Sequence, residues 1–113
     1  MREMISEFQL RGLEKLLNSG VIQDIYPMVD NIHLSIPEDT NPNYKGLNNL
    51  NIDIILNDPT FNKANMYQRE FDPHYLVDYH IRKLYFPYFN IEKVITNFIV
   101  WGPDGNIIDS YKY

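Results

Sequence analysis

Cysteine is absent from this chain of 113 residues, and alanine occurs only once. Without cysteine the chain has no disulfide framework, no thiolate metal site and no thiol nucleophile. Its five glycines stand apart, so no single segment can form the Gly-rich loop that cradles phosphate in nucleotide-binding proteins. Apolar runs are short, and charged residues interrupt positions 1–20, so we expect neither a membrane partner nor a secretory leader.

Basic residues are also few, and they do not cluster. Fifteen acidic residues against ten basic ones give a formal charge of -5 at pH 7. Such a surface repels the phosphate backbone, which makes nucleic acid a disfavoured partner. Asn and Ile are abundant, and their AT-rich codons indicate an AT-rich genome, such as that of a low-GC bacterium or its virus. We expect one domain, residues 1–113, in the cytoplasm or, if the gene is viral, associated with the virion.

The first helix is predicted over residues 3–18, where apolar side chains recur at helical spacing. Ser6 and Gln9 fit a capping box at its start. Gly20 supplies the stop, because glycine tolerates the left-handed backbone that ends many helices. Gly12 lies inside the helix at a cost of about 1 kcal/mol relative to alanine. Its presence there indicates close packing.

The second helix is predicted over residues 73–85. Asp72 can cap it, and Pro73 suits its first position because the proline ring fixes φ near the helical value. Pro87 ends it. Its predicted core face consists of Leu76, Val77, His80, Ile81 and Leu84. We expect His80 to be a core histidine whose ring nitrogens bond to the backbone.

Alternation of apolar and polar residues predicts the strands. The clearest runs are residues 32–36 and 50–56, and residues 21–25 also have the composition of a strand. The segment 92–101 is apolar on both faces, which is typical of a central strand or of a strand that meets a partner. A strong turn then leads to a return strand over residues 106–112.

The order of these elements predicts an α+β fold. We expect an antiparallel sheet of about four to five strands, with an N-terminal helix and a second helix before a C-terminal hairpin. The order resembles that of small assembly proteins of tailed phages and of other small α+β domains, and such a resemblance carries no function by itself. The segment 37–49 is a loop whose length makes it a candidate functional segment.

His33 and Asp53 are the candidate pair for chemistry. His33 projects from the polar face of its predicted strand and Asp53 from the mixed face of the next, so antiparallel pairing can make them cross-strand partners. A carboxylate that orients an imidazole is the arrangement of a general base, and the 37–49 loop would serve as a lid. A nucleophile is missing, because the chain has no cysteine and no serine in a Gly-x-Ser-x-Gly elbow. A polar pair on a solvated sheet face is therefore the favoured interpretation.

Aromatic residues concentrate between positions 67 and 89, which hold eight of the sixteen in the chain. Core packing, a protein interface and stacking of single-stranded nucleic acid all suit such a cluster. Stacking needs a basic groove, whereas acidic residues balance the bases here. The predicted interface consists of Tyr75, Tyr79, Arg82, Tyr85 and Tyr88, with Tyr111 and Tyr113 on a terminal strand whose edge can recruit another strand.

These observations favour a non-catalytic protein that binds itself or another protein. One alternative is a small enzyme or ligand-binding domain that uses His33 and Asp53. A second alternative is binding of single-stranded nucleic acid through the aromatics of residues 67–89. His74 and Asp78 share a helical face without a third ligand, so we expect no metal and no cofactor.

Overall fold

The computed structural model describes residues 5–36, 48–91 and 94–112. Helix α1 (Glu7–Leu17) is followed by strands β1 (Val29–Ser35) and β2 (Asn48–Leu56), and strands β3 (Val94–Trp101) and β4 (Ile107–Lys112) come last. Between β2 and β3 lies a helical segment in three parts. It consists of α2 (Pro73–Tyr75), a π-helix (Leu76–Tyr85) and a 3-10 helix (Phe86–Phe89). Residues 73–85 are named the crossover helix below.

The four strands form one sheet in the order β1-β2-β3-β4. The β1–β2 and β3–β4 pairs are antiparallel, but β2 and β3 run parallel. The α+β assignment is confirmed, whereas the expectation of an antiparallel sheet is wrong at its central pair. The physical reason is the connection, because a long crossover that contains a helix returns the chain to the starting end of the sheet.

The hydrophobic core lies on one face of this sheet. In α1, Leu10, Leu13 and Leu17 are fully buried against it. The strands contribute their alternate residues, as predicted for β1 and β2. The buried strand residues include Ile32, Leu34, Leu50, Ile52, Ile54, Leu56, Val94, Phe98 and Val100. Across the described ranges, no helix lies against the opposite face of the sheet. That opposite face is named the open face below.

The capping box at the start of α1 is present as predicted. The Ser6 hydroxyl accepts from the Gln9 amide at 3.1 Å, and the Gln9 side chain accepts from the Ser6 amide at 2.8 Å. Gly20 has φ of 113°, the left-handed backbone expected of a helix stop. The strand expected over residues 21–25 is wrong. Helical turns replace it, because local bonds such as the 2.7 Å bond from the Tyr26 amide to the Ile22 carbonyl satisfy the backbone.

The close packing predicted at Gly12 is present. A Cβ placed there would lie 2.7 Å from Cε1 of Phe89, so α1 meets the 3-10 helix with no room for a side chain. One turn earlier, the Gln9 side chain donates to the Phe89 carbonyl at 2.7 Å. These contacts hold α1 against the end of the crossover segment.

The crossover helix begins as predicted, with the Asp72 carboxylate accepting from the amides of His74 and Tyr75. Its pitch differs from the prediction. The Phe86 amide bonds to the carbonyl of Ile81, five residues back, which is π-helical bonding. The wider turn changes the buried face at its end, because Leu84 is 38% exposed while Tyr85 packs against the core.

Side chains of α1 and of Asn18, the residue that caps its end, cover the outer edge of β1. The Asn18 amide group accepts from the Ile32 N–H at 2.8 Å and donates to the Ile32 carbonyl at 2.7 Å. Farther along the edge, Glu14 accepts from the Leu34 N–H at 2.7 Å, and Arg11 donates to the Leu34 carbonyl at 3.3 Å. The helix therefore occupies the positions where another strand would pair.

Candidate functional site

The open face combines polar side chains with apolar ones at the centre of the sheet. Its partly buried members lie on β2 and β3, the two central strands. They are Asn49, Asn51, Asp53, Ile55, Asn97, Ile99 and Trp101. Because β2 and β3 are paired on both sides, their open-face side chains meet neighbours from the adjoining strands. The surface is therefore semi-apolar rather than fully solvated.

The structure brings His33 and Asp53 together, since they are directly opposite each other in the β1–β2 ladder. Their side chains nevertheless take other partners. His33 Nδ1 lies 3.0 Å from a carboxylate oxygen of Glu14, and Asp53 Oδ1 accepts from the indole N–H of Trp101 at 2.9 Å. The two residues thus form two neighbouring pairs, His33–Glu14 and Asp53–Trp101, instead of one His–Asp pair.

Glu14 is held firmly at the edge of the sheet. It accepts from the Leu34 amide and from Arg11, both at 2.7 Å. Burial raises the pKa of Glu14, but the bonds from Leu34 and Arg11 and the charge of Arg11 outweigh it, so this pKa is lowered. Glu14 therefore stays ionised and fixes the orientation of the half-exposed His33 ring. Sequence analysis missed this role, since Glu14 has only the pattern of a solvated helix face.

Trp101 lies along the sheet. Its backbone is in register with Ile55 of β2, while Asp53 is in register with Ile99. To donate to Asp53, the Trp101 side chain must therefore point toward the ladder position of Ile99, two residues earlier in β3. In this orientation the indole ring lies over the open face. The sequence predicts apolar residues on both faces of the segment 92–101, but it gives no sign of the bond from Trp101 to Asp53.

Two shallow grooves join on this face. One, of about 430 Å³, is lined by Asn31, His33, Asp53, Ile55, Trp101, Gly102, Pro103 and Gly105. The other, of about 580 Å³, lies over Asn51, Asp53, Asn97, Ile99 and Ser110. Asp53 lines both, so the two grooves adjoin at this residue, and together they are named the trough below. The proposed lid over residues 37–49 lies outside the described residues, except that Asn48 and Asn49 belong to β2.

The predicted interface residues differ in exposure. Tyr75 is 50% exposed and stacks on the partly buried Tyr79, with ring centroids 5.0 Å apart. Tyr88, beyond the crossover helix, is 77% exposed. Arg82 pairs with Asp78 at 3.5 Å.

Two other predicted interface residues are partly buried. Tyr85 packs against the core from the end of the crossover helix. Tyr111 lies against the rings of Phe98 and His74, with centroid distances of 4.8 Å and 3.9 Å, and its hydroxyl bonds to Asp109. β4 does lie at the edge of the sheet, as a terminal strand often does. Tyr113 lies outside the described residues.

His80 is buried, 7% exposed, among the rings of Tyr26, Tyr75 and Tyr79, whose centroids lie 5.1–5.6 Å from its own. The expectation that both ring nitrogens bond to the backbone is wrong. Nδ1 has no hydrogen-bond partner among the described residues, because aromatic rings surround it. Burial lowers the pKa of His80, which keeps this ring neutral at pH 7.

The described residues contain no group of three His, Asp or Glu side chains that could hold a metal ion. In the same ranges, no helix has both the length and the apolar character needed to cross a bilayer. The chain matches no protein-family model, no curated protein and no solved structure at a significant level. Functional inference therefore rests on the geometry of the open face.

Proposed function

We propose that this is a non-catalytic interaction protein that binds another polypeptide on the open face of its sheet. The observation that carries the proposal is the parallel β2–β3 pair, one face of which is covered by no helix of the described residues. Sheets made wholly of parallel strands have both faces covered in almost every case, and the central pair of this mixed sheet has the same parallel arrangement. A partner that lies on the trough would supply the missing layer.

The composition of the open face supports this role. Ile55, Ile99 and Trp101 form a central apolar strip, and Asn51, Asn97 and Ser110 lie around it. An apolar centre with a polar rim, and with an aromatic anchor, is the usual composition of a protein interface. The crossover helix has exposed rings as well, but Tyr75 already stacks on Tyr79.

The arrangement of His33 argues against catalysis. A general base needs a nucleophile or water held beside it, and Asp53, the neighbour across the ladder, is bonded to Trp101 instead. Stacking of nucleic acid is also disfavoured, because the described strands place only two basic residues, His33 and Lys112, on this face. A second candidate function is binding of a small molecule, favoured by a groove of about 430 Å³, a volume within the range of ligand pockets.

The test is capture of protein partners from the cells that make the chain, with wild type and two variants compared side by side. Ile99→Glu places a charge in the centre of the open face. Ile25→Glu is the matched control, since Ile25 is an exposed isoleucine in the turns after α1. We expect a partner that binds wild type and Ile25→Glu to be lost, at least about 10-fold, with Ile99→Glu.

Circular dichroism must show that both variants keep the wild-type fold before capture is compared. Light scattering of wild type distinguishes a second copy from a different protein as the occupant. If all partners bind Ile99→Glu as well as they bind wild type, the open face is not the interface and the proposal is wrong.

A further inference from the structure

We propose that Asp53 and Trp101 form a subsite for a guanidinium group, supplied by an arginine side chain of the bound polypeptide. This inference rests on the function proposed above and names the chemistry of the partner at one point of the open face. It follows from three features of the site: an aspartate that has no ion pair among the described residues, an aromatic ring fixed beside it, and a groove above both.

Asp53 lies in the middle of the trough, where both grooves meet. Its Oδ1 atom accepts from Trp101, and no ion pair among the described residues includes Asp53. A partner that covers this carboxylate removes it from water. The burial of an unpaired charge is strongly unfavourable, so a suitable partner brings a cation to the second carboxylate oxygen.

The protein does not supply this cation from the described side chains of the same face. His33 is the basic group nearest in the ladder, and its Nδ1 lies 3.0 Å from Glu14. A second copy packed face to face would add another Asp53 carboxylate to the interface, and its four strands contain no arginine to pair with the first. Charge complementarity favours a different polypeptide that carries a basic residue.

The indole ring selects the kind of cation. Hydrogen bonding to Asp53 fixes the Trp101 ring along the sheet, so one edge is anchored and the ring remains partly accessible. A planar guanidinium can stack on this ring and still donate to Asp53, whereas an ammonium group is more strongly hydrated and offers no plane. Gly102 and Gly105 line the same groove, which has about 430 Å³ for the arginine stem.

The chain contains one tryptophan, so its fluorescence reports this subsite alone. The wild-type protein is titrated with N-acetylargininamide and, separately, with N-acetylcitrullinamide, which has nearly the same shape without the charge. We expect a saturable change in Trp101 emission with the arginine probe, and about 10-fold weaker binding of the citrulline probe. In Asp53→Asn the preference falls to about 2-fold or less, since the isosteric amide keeps the bond to the indole but loses the charge.

Asp24→Asn is the matched control, because Asp24 is an exposed carboxylate in the turns after α1, outside both grooves. It should keep the full preference for the arginine probe. Equal binding of the two probes to wild type, or an unchanged preference in Asp53→Asn, would overturn the subsite. The partner test separates the two proposals. If Ile99→Glu abolishes capture but Asp53→Asn leaves it intact, the interface stands and the guanidinium subsite is wrong.

Discussion

His80 is the buried group whose titration has the clearest consequence for stability. Its ring has three tyrosine neighbours, and its Nδ1 atom has no hydrogen-bond partner in the described ranges. Because burial lowers the pKa of His80, protons bind the unfolded chain before they bind the folded one. The contribution of neutral His80 is therefore complete above pH 6.5 and is lost as the pH falls below that value.

The prediction is that His80→Phe makes stability less sensitive to mild acid. Phenylalanine suits the aromatic surroundings and cannot take up a proton. Urea unfolding at pH 7.5 and at pH 5 should show a smaller loss of unfolding free energy for the variant than for wild type. Each pKa difference of one corresponds to about 1.4 kcal/mol.

Between pH 7.5 and pH 5, the carboxylates whose pKa values are lowered do not take up protons. The pKa values of Glu14 and Asp58 are lowered, so both carboxylates remain ionised at pH 5. His33 and His74 are present in wild type and variant alike, so the comparison isolates the change at position 80. Identical pH dependence in the two proteins would show that the His80 ring is protonated as readily in the folded state as in the unfolded state.

At the scale of elements, the edge of β1 is protected by α1. Asn18 bonds to both backbone groups of Ile32, which an incoming strand would otherwise use. We predict that Asn18→Ala lowers the unfolding free energy by about 2 kcal/mol, because two partly buried backbone bonds are lost. The variant should also associate at high concentration, since an unpaired strand edge is open to pairing. Urea unfolding and light scattering measure these two effects.

Ser6→Ala is the control for this prediction. It removes the hydroxyl of the capping box and should cost about 1 kcal/mol, but it leaves the edge of β1 covered. The control should therefore lose stability without associating. Equal association of both variants would mean that general destabilisation, and not exposure of the edge, is the cause.

The elements themselves were largely predictable from local patterns. Alternation identifies the buried faces of β1 and β2, and the residues that cap α1 and the crossover helix mark where those helices begin. The direction of β3 was not predictable, since either direction satisfies the same alternation. The π-helical pitch was not predictable for a related reason. The same apolar spacing fits an α-helix with Leu84 against the core and a π-helix with Tyr85 against the core.

At the scale of the whole molecule, stability depends on one face of the sheet. Phe98 and Ile99 are neighbours on β3, but Phe98 is fully buried in the core while Ile99 lies on the open face. We predict that Phe98→Ala lowers the unfolding free energy by about 3–5 kcal/mol, and that Ile99→Ala costs about 1 kcal/mol. Chemical denaturation of the purified chain measures both.

The two substitutions control for each other, because they occupy consecutive positions of one strand and share its backbone environment. A cost for Ile99→Ala equal to that of Phe98→Ala would mean that the open face is part of the folded core in the free protein. The proposed docking surface would then be wrong.

The candidate site was predictable in part. Counting along two alternating strands places His33 and Asp53 opposite each other, and the ladder has this register. The partners of these side chains were not predictable, since Glu14 comes from a helix 19 positions before His33 and Trp101 comes from a strand 48 positions after Asp53. Such contacts depend on how elements pack, and no local spacing encodes them.

The parallel central pair also constrains the order in which the chain can fold. Ladder partners in β2 and β3, such as Asn48 and Val94, lie 46 positions apart, whereas Trp101 and Ile107 in the β3–β4 ribbon are separated by only six. The β3–β4 pair can form early, because closing its short loop costs little entropy. The β2–β3 pair can form only after the segment between these two strands has become compact. The slowest step in refolding should therefore be the docking of the two halves of the sheet on either side of that segment.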